Sequence, residues 1–152
     1  MNRQWLQLAI ILAVFTGLSS TALAESSVQV ALIQAEKGTK DFIAPELESM
    51  ASTFKRFPGF NQFKLVKSEN MTLGLGEKGT VEAPRGKTIE VTYRGVSKGF
   101  VKLRFKLGKL EMNVRVHNGG TFFHGGFANK SGRLIVAIKA RSEQNGQPKK
   151  RR

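Results

Sequence analysis

The chain of 152 residues contains no cysteine. That excludes a disulfide scaffold, a thiolate metal centre, a cysteine nucleophile and a lipid anchor attached through sulfur. Aspartate occurs once, at Asp41, and histidine only at His117 and His124. Trp5 is the one tryptophan and Tyr93 the one tyrosine, against eleven phenylalanines. A Ser/His/Asp triad would have to join Asp41 to a histidine near the other end of the chain, and no G-x-S-x-G marks a nucleophile. Two histidines without cysteine make a weak metal site. The glutamates sit mostly beside basic residues. Glu46 and Glu48, two apart on a helix, do not face each other, and no acid pair of the glycosidase kind is marked. The expectation is a protein that is not an enzyme and needs neither cofactor nor metal.

Acidic charge is scarce as well: 11 Asp plus Glu stand against 25 Lys plus Arg, a formal net charge of +14. Hydrophobic residues make up 40%, enough for a packed core. Residues 1–24 have the form of a secretory signal peptide. Arg3 supplies the positive start, Leu6 to Phe15 the apolar run, and Ala22-Leu23-Ala24 the cleavage pattern. The run is short for the ~20 residues of a membrane span, and small polar residues follow it rather than basic ones. Cleavage after Ala24 would remove one charged residue, Arg3. An exported chain without cysteine points to the bacterial periplasm or the extracellular medium.

Val28 to Ile33 is an apolar run of strand length, broken at Lys37-Gly38-Thr39. Ile43, Leu47, Met50, Ala51 and Phe54 then form one stripe at helical spacing, with Pro45 in the first turn and Pro58-Gly59 beyond the last. This predicts a helix over about residues 44–56. After Gly59 the period becomes two. Strands are expected at Gln62–Lys67, Met71–Leu75, Thr80–Ala83 and Ile89–Arg94, with a turn at Pro84–Lys87. Val101–Leu107 and Leu110–His117 alternate around Gly108-Lys109, the pattern of a hairpin closed by a type II′ turn. Leu134–Lys139 suits a central strand. The expected fold is therefore α+β: an antiparallel β-meander, as a sheet or partly closed barrel of about seven or eight strands, with one N-terminal amphipathic helix. Residues 25–143 make one domain, and residues 144–152, ending in Lys149-Lys-Arg-Arg152, a disordered basic tail.

Three stretches invite a functional reading. Gly74-Leu-Gly76-Glu-Lys-Gly79 matches G-x-G-x-x-G, but strand-like Thr80–Ala83 follows where a helix is required, so the match reads as a glycine-rich hairpin link. From Lys98 to Arg115 six basic residues stand against Glu111 alone. Strand alternation puts Lys102, Arg104 and Lys106 on one side, ~6.6–7 Å apart. These three with Arg115, flanked by Arg94 and Lys98, are the candidate anion-binding face. The bland alternative is a solvated face kept soluble by lysine. Phe122, Phe123 and His124 lie between two glycine pairs and Phe127 directly follows the second; all four are expected in a loop that contacts a partner. The same residues also suit a strand whose rings fill the core, with glycine at a bulge.

Two roles follow as expectations. The first is an exported, envelope-associated binding module that offers its basic sheet face to lipid headgroups, acidic glycan, nucleic acid or an acidic protein. The second is a structural or assembly subunit of a bacterial envelope complex, using the Gly/Phe loop and a strand edge for protein contacts.

Overall fold

The first and last strands of the described residues are covered on both faces along much of their length, and the architecture is built around them. A computed structural model describes residues 24–143. The expected leader, apart from Ala24, and the basic tail lie outside the described residues. β1 (Ser26–Glu36) and β9 (Gly132–Ser142) pair antiparallel in the middle of a five-stranded sheet. Beyond β1 lies β3 (Gln62–Leu73), edged in parallel by the two-residue β2 (Phe42–Ile43). Beyond β9 lies β8 (Thr121–Asn129). A second sheet is an antiparallel meander of β4 (Lys78–Ala83), β5 (Lys87–Ser97), β6 (Phe100–Leu107) and β7 (Leu110–His117).

Period-two alternation explains why the sheets stack. Val28, Val30 and Leu32 of β1 and Leu134, Val136 and Ile138 of β9 face the second sheet, where they meet buried Ile89, Val91, Tyr93, Val101, Leu103 and Phe105. The intervening residues Ala31, Ile33, Ala35, Ile135 and Ala137 face the other way, under a helical segment whose Leu47 and Phe54 are buried on them. Phe54 stacks on Phe63 with ring centroids 4.3 Å apart. A strand covered on both faces reads as a continuous apolar run, the form that Val28–Ile33 and Leu134–Ile138 take in the sequence.

Three expectations are corrected. The meander is confined to one of two sheets, and the molecule is not a closed barrel. The helix expected over residues 44–56 is a 3-10 segment at Pro45–Met50 followed by one α-helical turn, α1, at Ala51–Phe54. No side chain caps either piece, so packing of Leu47 and Phe54 holds the segment in place of intrinsic helix stability. The two strands expected at Gln62–Lys67 and Met71–Leu75 are one strand that ends at Leu73; β2 is a strand where none had been assigned, and β8 one where a strand stood only as the alternative to a loop. Within β3 the register steps from Leu32↔Lys67 to Ile33↔Leu65. Val66 is thus the extra residue of a bulge, and it is 48% exposed.

The β6–β7 connection carries the turn chemistry that the sequence announced. Leu107 pairs with Leu110 around Gly108 (φ 59°), as a type II′ hairpin requires. Residues 74–77 take the chain from the first sheet to the second. Gly74 N–H donates to Glu77 Oε2 at 2.7 Å, and Gly76 N–H to the Tyr93 carbonyl at 2.7 Å. The strand that follows lies in the other sheet, so the glycine pattern is a crossover between sheets and not the hairpin link expected. At one end of the sandwich Ser142 Oγ donates to the Glu25 carbonyl and lies 2.9 Å from Tyr93 Oη. With the Ser142 proton engaged there, Tyr93 is the donor of the pair. That buried clasp ties β5 to both ends of the described chain.

Candidate functional site

The outer face of the second sheet carries its side chains in rows, because β5, β6 and β7 are in register. Lys102 pairs with Arg115, Arg104 with Asn113, and Lys106 with Glu111. On the other side of β6, Thr92 pairs with Arg104 and Glu90 with Lys106. Between Tyr93↔Leu103 and Val96↔Val101, β5 has a bulge that sets Arg94 and Gly95 opposite Lys102, with Gly95 at φ 98°. One row therefore reads Arg94, Lys102, Arg115 across three neighbouring strands, ~4.8 Å apart from strand to strand. With Arg104 and Asn113 these residues line an open depression of about 300 Å³ above the Leu103–Val114 pair.

Charge is not evenly compensated over this face. Lys106 lies 3.8 Å from Glu90, which also holds Lys78 at 3.2 Å. Arg104 Nε is 3.4 Å from Glu111, an exposed contact of little energetic weight. Among the described residues, no carboxylate lies within ion-pair distance of Arg94, Lys102 or Arg115. Like charges held side by side repel, so the fold carries a cost there that an anion laid across the row would relieve.

Of the six basic residues expected to act together, Arg94, Lys102, Arg104 and Arg115 surround one depression. Lys106 stands at the compensated end of the face. Lys98 is not on the face: with Gly99 it forms the two-residue turn between β5 and β6, where both have positive φ (52° and 78°).

The Phe/His stretch is not a loop. Thr121–Asn129 is strand β8, and its rings are partly buried. Phe122 and Phe127 pack against the inter-sheet core, while Phe123 packs beneath the helical segment, edge-on to Phe54. Two glycines make this possible. Between His124↔Val136 and Phe127↔Leu134 the register steps, leaving Gly125 and Gly126 opposite one residue. That extra residue reverses the alternation and returns Phe127 to the inner face. At Gly126 (φ 57°) a Cβ would fall 1.7 Å from the Leu134 carbonyl oxygen.

His124 lies against the Phe105 ring, 5.4 Å between centroids, and its Nδ1 accepts the Gly126 N–H. Burial holds its pKa below the ordinary imidazole value, and the nearby Arg133 charge lowers it further. Asp41 lies beside β2, at the opposite edge of the same sheet from β8, so Asp41 and His124 do not meet. No group of three His, Asp or Glu converges among the described residues.

One feature of the face was missed. Phe100 pairs with His117 on the outer side of the sheet, ring centroids 4.2 Å apart, one position along from the Lys102–Arg115 pair. The signal was present. Counting outward from the Gly108-Lys109 turn pairs 107 with 110, 102 with 115 and 100 with 117, and the two-residue period puts Phe100 on the side of Lys102. By its architecture the chain belongs among two-sheet β proteins. Compared with family models, curated proteins and solved structures, it matches none.

Proposed function

We propose that the chain is an exported, non-enzymatic binding module that holds an anionic polymer on the outer face of its four-stranded sheet. The observation that carries this reading is the row Arg94, Lys102, Arg115: three cations in register on three strands, without a carboxylate partner among the described residues, beside a depression also lined by Arg104 and Asn113. A ligand with repeated negative charge gains attraction from each and releases its own counter-ions. The assembly role has less support, because the rings meant to make protein contacts pack inward and the β8 edge is interrupted by a bulge.

The test is binding of the purified protein to polyphosphate, acidic glycan and anionic liposomes over a salt series. Saturable binding should weaken as salt rises, with a log–log slope of about −2 to −3 if three contacts release ions. Arg94→Glu/Lys102→Glu/Arg115→Glu should lower affinity at least about a hundredfold at low salt while leaving the thermal midpoint near that of the parent, since all three side chains lie outside the core. Unchanged affinity in that variant sinks the reading.

A further inference from the structure

From the ring pair beside the cation row we infer that the anionic polymer is a single-stranded nucleic acid, its phosphates on Arg94, Lys102 and Arg115 and a base stacked against the Phe100–His117 pair. This rests on the anion-binding reading of the face and names its ligand.

Two observations combine. Phe100 belongs to neither buried cluster although it sits in the middle strands of the sheet, and it remains partly open beside exposed His117. An apolar ring on a solvated face, next to cations, gains little from the fold beyond its contact with His117. The second observation is distance. Phe100 and Lys102 are neighbours on one face of one strand, ~7 Å apart, so a ligand must present a flat group and a negative charge in close succession. A nucleotide does this at every repeat.

The other anions expected from the charge alone meet only half of the site. A bilayer surface supplies phosphates but no planar group for the rings. An acidic glycan supplies charge but no π-face, and a phenylalanine offers no polar tip to its hydroxyls. In a duplex the bases are already stacked on one another, so only an unpaired strand can use both halves. Aromatic rings set along a basic track are the usual means of holding single strands without reading sequence.

The experiment compares three probes on the purified protein: an oligothymidylate of about 16 nucleotides, its duplex with oligoadenylate, and polyphosphate of similar charge. The single strand should bind more tightly than the duplex. Phe100→Ala should weaken oligothymidylate binding about tenfold, the size expected for one stacked base, and leave polyphosphate binding unchanged. Phe100→Trp should restore it. Equal losses for both probes in Phe100→Ala, or none for either, overturn the inference while the anion-binding face stands. An acidic glycan that binds more tightly than the oligonucleotide also overturns it. If neither polyphosphate nor oligonucleotide binds at low salt, the reading of the face itself falls.

Discussion

The imidazole of His124 sits between Phe105 and the β8 bulge, where its Nδ1 is already committed as acceptor to the Gly126 N–H. The ring proton is therefore on Nε2. Protonating the ring would put a charge into a partly buried site beside Arg133 and break that hydrogen bond. The folded pKa is thus below the unfolded value, and the sign follows from linkage: stability is complete above about pH 6.5 and is lost as pH falls through the lowered native value. Urea midpoints measured across that range should decline for the parent and decline less for His124→Gln. Equal slopes for the two would refute the assignment. A second residue-scale expectation concerns Tyr93. Its hydroxyl donates to Ser142 Oγ in the buried clasp, so Tyr93→Phe should cost about 1 kcal/mol, read from the same midpoints. The sequence placed Tyr93 in a strand, but its partner is 49 residues away, beyond the reach of any local pattern.

The helical segment shows how far a stripe of spacings can be trusted. Ile43, Leu47, Met50 and Phe54 of that stripe do line one apolar side, and Leu47 and Phe54 are nearly inaccessible at 1% and 2%. What the spacing could not tell was how tightly the backbone would wind, because 3-10 and α turns both bring those positions together over so short a length. The segment should therefore depend on its packing. Phe54→Ala, which removes the ring stacked on Phe63, should cost about 3–4 kcal/mol and be seen as a large fall in thermal midpoint. The β6–β7 hairpin is the opposite case. Its turn, its register and its two faces were all legible, because a two-residue link closes the pairing locally. The β8 stretch was legible only as an alternative, since the decisive feature, the Gly125-Gly126 bulge, is set by the carbonyl of Leu134 on a neighbouring strand.

At the scale of the molecule, the pairing of β1 with β9 joins residues near 30 to residues near 136. A sheet whose middle pairs the first described strand with the last must close a long loop before its core forms, and that loop entropy slows folding. Refolding from urea, followed by stopped-flow fluorescence of Tyr93, should have its main phase in milliseconds to seconds; a microsecond phase that recovered the full signal would contradict the topology's role. The sequence by itself determined the strand faces, the hairpins and the concentration of positive charge on β6, because each depends on a period of two or on a turn a few residues long. Tertiary structure alone decided that there are two sheets and that the first and last described strands pair in the middle of one of them. It also decided which cations stay unpaired. Glu90 reaches Lys106 and Lys78 but not Lys102, and Arg94 joins Lys102 and Arg115 because the register of β5 on β6 and of β6 on β7 sets the three side by side. Those outcomes depend on which strands come to lie side by side, and that is settled when distant segments bury their apolar faces against each other.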